Sequence, residues 1–241
     1  MTGRLVPREE LNGSEREALF TLLSAHFRGV TRERFAADLA EKSWILLLEE
    51  DGRVRGFSTL RIYETASPGG EPLTVVYSGD TIVERGAWAT AALPKSWIAA
   101  VRVLRERHPR GRLLWLLLTS GFRTYRFLPV FWREFWPRPG AETPAEVRAL
   151  LDHLARERFG PLYDPAAGVV RFPEPQVLRE GLDAVPEGRL ADPHVAFFLE
   201  RNPGWTRGDE LVCLAELAEG NLTPAGRRMW RQGRVTLKAA T

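Results

Sequence analysis

The run Leu113–Leu118 constrains this chain more than any other segment. Five leucines and Trp115 stand there without interruption, between Pro109-Arg110-Gly111 and Thr119-Ser120-Gly121. So short an apolar stretch suits a strand, and the lack of polar alternation requires both of its faces to be covered. The chain therefore needs a central strand with a layer on either side. Eight Trp and twelve Phe among 241 residues supply apolar surface for such a core, which argues against disorder. No apolar run approaches the ~20 residues that span a bilayer, and Met1–Pro7 lacks the apolar core of a secretion signal. Cys213 stands alone, so no internal disulfide forms, and no Cys/His set has zinc-ligand spacing. These features predict one compact, reduced, cytosolic body without a metal.

The elements on either side of the central run follow from local signals. Ser14 with Glu17 reads as a capping box for a helix carrying Leu19, Leu22, Leu23 and Phe27. Thr31 starts a second, shorter helix. Asp51-Gly52 between two apolar runs marks a β-hairpin, and Leu73–Val83 reads as a further strand. Pro94 suits the first turn of a helix reaching His108. Beyond the central strand, Phe122–Trp136 is rich in aromatics and carries Pro129, which predicts a kinked helix or one starting near Leu128. Thr143-Pro144 starts a helix to about Phe159, and Asp192-Pro193 a short one. Glu210–Leu217 reads as a strand holding Cys213 as a buried residue, and Thr223-Pro224 opens a last helix. No repeat or long linker divides the chain.

Charge is unevenly distributed. The total of +3 conceals residues 101–138, where nine Arg face only Glu106 and Glu134, a local net of +7 against −4 elsewhere. Such asymmetry suits an anionic partner, although Arg also serves as a solvated or apolar-covering side chain on helix faces.

Two helices, a hairpin, a longer strand, a helix, a central strand and another helix give an α+β order on a mixed, mostly antiparallel sheet. Over roughly residues 8–140 it resembles the GNAT superfamily, the Gcn5-related N-acyltransferases. Residues 1–140 are then the core, and 141–241 a C-terminal α/β elaboration packed on the same sheet. The resemblance implies that the loop after the Leu73–Val83 strand holds the pyrophosphate of coenzyme A against the next helix. The matching residues are Val83, Arg85, Gly86, Ala87, Trp88, Ala89 and Thr90, where backbone N–H groups and the helix dipole favour a diphosphate. Arg85 and Gly86 keep the family pattern, whereas Trp88 stands where the family has a glycine. The resemblance further implies an acyl-CoA co-substrate, an amine acceptor on a small molecule or peptide, and a thioester between the Leu73–Val83 and Leu113–Leu118 strands. Asp80 is the candidate base, with Glu84 behind it. Tyr125 and Ser120 are candidates to protonate the thiolate. For each, a structural reading stands beside the catalytic one: a bulge at Ser78-Gly79-Asp80, a packed aromatic, a helix cap.

The aromatic stretch and the extra C-terminal residues suit an acyl group longer than acetyl, and the +7 segment suits an acidic acyl carrier protein as an alternative donor. Aromatics at helical spacing also simply build cores. A second class of function is a non-catalytic GNAT-like module for ligand or protein binding. A third is nucleic-acid binding through the Arg-rich segment, although no RNA- or DNA-binding motif is present. His26 and His153 lie near apolar helix positions and read as packed. His194 is the most plausible site histidine, without a nameable partner. No Gly-x-Ser-x-Gly or Walker A motif occurs.

Overall fold

The structure, a computed structural model, describes residues 1–88 and 90–237. Along the chain run β1 (Thr2–Pro7), α1 (Gly13–His26), β2 (Phe27–Arg28), α2 (Arg32–Ala40), β3 (Trp44–Glu50), β4 (Arg53–Ala66) and β5 (Pro72–Val83). Next come α3 (Ala92–Arg107), β6 (Arg112–Thr119), α4 (Phe122–Tyr125), α5 (Phe127–Phe131), β7 (Phe135–Trp136) and α6 (Ala145–Phe159). The remainder comprises β8 (Tyr163–Asp164), β9 (Val169–Val170), β10 (Val177–Leu178), α7 (Glu187–Leu190), α8 (Pro193–Arg201), β11 (Glu210–Glu216), α9 (Pro224–Gln232) and β12 (Val235–Leu237).

Local chemistry sets most of these boundaries. The capping box of α1 is Asn12 with Glu15, one turn-start earlier than the Ser14/Glu17 pair read from the sequence: Asn12 accepts from the Glu15 amide, and Glu15 accepts from the Asn12 amide. Thr31 and Thr223 cap α2 and α9 through their hydroxyls, as their positions predict. Asp51 and Gly52 both take positive φ, 50° and 74°, the geometry a two-residue hairpin between right-twisted strands requires. Helix α3 starts at Ala92, so Pro94 falls in its first turn, where no N–H is missed. The aromatic stretch forms two short helices, α4 and α5, meeting at Arg126, with Pro129 inside the second.

Ten strands form one sheet in the order β12-β1-β3-β4-β5-β6-β11-β9-β8, with β7 also pairing β11. It is mixed and mostly antiparallel; β5–β6 and β1–β12 are its parallel pairs. This is the mixed, mostly antiparallel α+β sheet expected. Strand β6 sits deep in the sheet. Leu113, Trp115 and Leu117 face a core shared with α3, α4 and α5, while Leu114, Leu116 and Leu118 face one shared with α6. A third core packs α1 and α2 against Ile45, Leu47 and Phe57. The C-terminal part is not peripheral to the sheet, because β11 pairs directly with β6 from Leu211↔Thr119 to Glu216↔Leu114. Among the described residues, no helix is long and apolar enough to cross a membrane.

Candidate active site

Strands β5 and β6 pair in parallel from Leu73↔Arg112 only as far as Ser78↔Leu117. Beyond that point each keeps its other neighbour: Thr81–Val83 stay with β4, and Leu118–Thr119 with β11. A bulge starts the parting. Leu60 pairs Ser78 and Ser58 pairs Thr81, so Gly79 and Asp80 together oppose Thr59. Gly79 is required there, since a Cβ would meet the Thr59 hydroxyl at 2.8 Å and the end of the Lys42 side chain at 3.1 Å. Asp80 thus sits on a bulge and is also turned into the opening.

Two cavities occupy the gap and share Phe27, Thr81, Ser120 and Thr124. The smaller, of about 200 Å³, is polar; Asp38 of α2, Asp80 of β5 and Glu210 of β11 line it together with Tyr77. The larger, of about 580 Å³, lies beyond the carboxyl ends of β5 and β6 and is walled by aromatic side chains, among them Trp97, Trp115, Phe122, Phe131 and Trp205. Its volume is within the range of small-molecule sites. Trp115 is fixed at the junction of the strands by donating its indole N–H to the Ser78 hydroxyl at 2.8 Å.

Burial, reinforced by the Asp38 carboxylate and opposed by Lys42, pushes Asp80 up to about 7. Burial and the charges of Asp80 and Asp38 push Glu210 up to about 8. Neither carboxylate has a hydrogen bond or ion pair among the described residues. The folded protein therefore holds protons on these groups that the unfolded chain releases near 3.8 and 4.5. That stabilisation is complete below about pH 4 and is lost as pH rises through 7 and 8. Glu210→Gln is accordingly expected to raise the melting temperature at pH 9 more than at pH 5; an equal change at both values contradicts the environment described.

The other sequence candidates are placed unequally. Ser120 lines both cavities and makes no hydrogen bond to a described residue. The cap position of α4 belongs to Gly121, so Ser120 does not serve as its cap. Tyr125 is fully buried, donates its hydroxyl to the Pro137 carbonyl at 2.9 Å, packs on Phe135, Phe197 and Phe198, and lines neither cavity. Tyr77, on β5, is the tyrosine that reaches the polar cavity. Glu84 pairs with Arg55 at 2.8 Å.

In the loop after β5, Ala87, Trp88 and Thr90 amides donate to the carbonyls of Glu84, Arg85 and Ala87. The Trp88 indole N–H donates to the Val83 carbonyl at 2.6 Å, which ties the ring back to the strand end although the residue stays 41% exposed. Thr90 accepts from the Ala92 amide at the start of α3. Gly86 has open space around its Cα, and Ala89 lies outside the described residues. The cationic groups at the mouth come from elsewhere as well. Arg123 stacks over Trp88 at 4.9 Å, and desolvation, with a smaller contribution from the charge of Arg85, holds it below the usual guanidinium range. Arg189 of α7 lines the same cavity. Arg123 belongs to the +7 segment, whereas nothing in the sequence marked Arg189, Asp38 or Glu210. Arginines of that segment are already committed: Arg123 donates to the Leu182 carbonyl at 2.9 Å, Arg102 and Arg105 to other backbone carbonyls, and Arg112 and Arg126 pair with Glu216 and Asp192.

The buried His26 donates its Nδ1–H to the Leu22 carbonyl at 2.8 Å, and its ring lies 6.3 Å from Trp88 at the wall of the larger cavity. His194 lies beside Phe135 and Asp192, away from both cavities. Among the described residues, no three His, Cys, Asp or Glu side chains are grouped to hold a metal ion.

By strand order, the parting of β5 from β6 and the helix that follows the β5 loop, the fold resembles that of the GNAT superfamily. No protein-family model matches the chain, and no curated protein matches it by sequence. Among solved structures it is similar to a conserved protein of Enterococcus faecalis V583 described as a probable N-acyltransferase, at 13% identity and TM-score 0.41, over 52% of this chain and 31% of that one. It is also similar to a GNAT-family acetyltransferase of Bacillus anthracis, at 10% identity and TM-score 0.40, over 58% of this chain and 82% of that one. A Trypanosoma brucei acetyltransferase aligns at 18% identity and TM-score 0.36, over 52% and 87% of the two chains.

Proposed function

We propose that this protein is an N-acyltransferase that moves an acyl group longer than acetyl from a coenzyme A thioester to an amine. The observation that carries the reading is the gap between β5 and β6, where the Ser120 hydroxyl stands between a polar and an aromatic cavity and the Asp80 carboxylate lines the polar one. The acyl chain occupies the aromatic cavity, and the amine enters from the polar side. The amine nitrogen bonds to the thioester carbonyl carbon, its proton passes to Asp80, and the C–S bond breaks as the thiolate is protonated from the Ser120 side. A carboxylate titrating near neutrality is suited to accept that proton. Residues 1–140 form the catalytic core. Residues 141–241 act as an elaboration that closes both cavities, supplying Leu178, Leu182 and Trp205 to one and Glu174 and Glu210 to the other.

Arg123 and Arg189, which line the aromatic cavity, and Arg85, whose charge is felt at Arg123, favour an anionic donor such as coenzyme A. An acidic carrier protein presenting the same thioester is the second reading, favoured by the exposed Arg123, although the commitment of Arg102, Arg105, Arg112 and Arg126 leaves less of the +7 segment to dock it.

A chain-length series of acyl-CoA thioesters, followed by thermal shift, tests the reading. A ligand at 100 times its Kd adds about 2.7 kcal/mol of apparent stability. Each buried methylene contributes about 0.8 kcal/mol, so affinity should rise about fourfold per methylene until the cavity is filled. Equal binding of acetyl and longer thioesters removes the long-chain assignment. No shift with any thioester, free or carrier-bound, overturns the enzyme reading in favour of a non-catalytic interaction module.

A further inference from the structure

The smaller cavity has a charge that an acyl donor does not need. Asp38, Asp80 and Glu210 come from three separate elements to line it, and Glu174 adds a fourth carboxylate at its edge. They meet two cations: Lys42, whose side chain is fully buried and bonds Asp38 at 2.5 Å, and Arg34, which pairs with Glu174 at 3.1 Å. Arg158, near the face of the Tyr77 ring, is already paired with Glu41. Asp80 and Glu210 are left without a cation of their own. Tyr77 supplies an independent sign of a missing ligand. It lines the cavity and is only 6% exposed, yet its hydroxyl makes no hydrogen bond to a described residue. The hydroxyl of this otherwise buried ring opens onto the cavity, where a ligand donor can reach it.

We propose that this cavity is an acceptor subsite for a small diamine, one nitrogen facing Asp80 at the junction with the aromatic cavity and the second held as an ammonium by Glu210 and Tyr77. The assignment rests on the acyl-transfer reading, in which Asp80 serves the nitrogen that reacts. An ammonium donates to both the carboxylate and the phenol oxygen and cancels repulsion among carboxylates that the fold otherwise carries uncompensated. Lys42, 5.3 Å from the Tyr77 ring centre and bonded to Asp38, shows the same chemistry within the chain: an ammonium seated between a carboxylate and this aromatic face. A monoamine would use only half of the site. A zwitterionic amino acid would bring a carboxylate against Glu210.

The test is calorimetric titration of the full chain at pH 8.5, without donor, with 1,4-diaminobutane, n-butylamine and 4-aminobutyrate. The diamine should bind at least tenfold tighter than butylamine, and 4-aminobutyrate weakest of the three. Glu210→Gln should weaken diamine binding at least tenfold and butylamine binding less than threefold. Tyr77→Phe, which retains the ring, should weaken diamine binding by threefold or more. Equal binding of diamine and monoamine, no binding of any amine, or an unchanged diamine affinity in both variants overturns the proposal. Acyl-CoA binding by the same preparations separates the two ideas. Thioester binding without diamine selectivity removes the subsite and leaves acyl transfer standing, whereas the reverse result removes acyl transfer and leaves a diamine-binding site.

Discussion

Asp80→Asn should slow acyl transfer to a saturating amine by 10²–10⁴-fold, the usual contribution of a positioned general base, while leaving acyl-CoA affinity within about twofold. The asymmetry follows from position. Asp80 lines the polar cavity and is absent from the walls of the larger one, so its loss removes a proton acceptor without altering where an acyl chain packs. The bulge tolerates the change, because its backbone is set by Gly79 against Thr59 and not by a hydrogen bond from the Asp80 side chain. Relief of repulsion with Asp38 and Glu210 should make the variant at least as stable as the parent near neutral pH. The parent's rate should increase with pH as Asp80 ionises near 7, and the variant should lose that limb. Rates read by thiol release across pH 5.5–9, a melting curve and a thermal-shift titration with acyl-CoA check these four expectations. An unchanged rate would assign proton removal elsewhere.

Trp132→Ala should destabilise the fold by about 3 kcal/mol, the low end of the ~3–5 kcal/mol typical of such truncations. Trp132 is 2% exposed and packs 4.9 Å from Trp115 and 5.8 Å from Trp97, ring centre to ring centre. These two neighbours wall the aromatic cavity. Their support would be replaced by a void adjoining it, which a small domain element such as α5 cannot readily collapse to fill. The loss stays at the low end because the Trp132 indole N–H is buried without a partner among the described residues, and truncation removes that cost. For a chain of this size, 1 kcal/mol corresponds to roughly 2–4 °C, so the melting temperature should fall by about 6–12 °C. Long-chain thioesters should recover more of that loss than acetyl-CoA. A loss below 2 °C would mean that the three-tryptophan cluster does not support the cavity wall.

Much of the architecture was legible because it is written locally. Leu113–Leu118 specified a strand covered on both faces, Asp51-Gly52 a hairpin, and Thr31 and Thr223 the starts of helices, each through a backbone geometry or capping bond spanning a few residues. The misplacement of the α1 capping box came from two overlapping patterns, Asn12/Glu15 and Ser14/Glu17, of which the bonds select the first. Strand β1 was missed, since Thr-Gly-Arg-Leu-Val-Pro has no alternating pattern and is held by pairing with β3 on one side and β12 on the other. The place of β11 beside β6 joins residues as far apart as Thr119 with Leu211 and Leu114 with Glu216, information carried by no local motif.

The site divides in the same way. Asp80 and Ser120 were nominated through the family resemblance, by their positions relative to two legible strands, and the structure places both along the gap. Asp38 and Glu210 read as an ordinary helix residue and a strand start, and only the packing of α2 and β11 around the gap brings them to Asp80. Tyr125 had the expected spacing after β6, but helix α4 turns it into the core against Pro137. Trp88 was legible as a bulky residue in the loop, whereas its hydrogen bond to Val83 depended on the turn of Arg85–Ala87.

The most direct test of the central claim is mass detection of the amide formed when the protein is mixed with a long-chain acyl-CoA and 1,4-diaminobutane. One acylated amine should appear for each free thiol released, in the parent protein and at most at a hundredth of the rate in Asp80→Asn. Thiol release that proceeds equally without amine, yielding the free acid, or the absence of both products from a protein that binds the thioester, would contradict acyl transfer between β5 and β6.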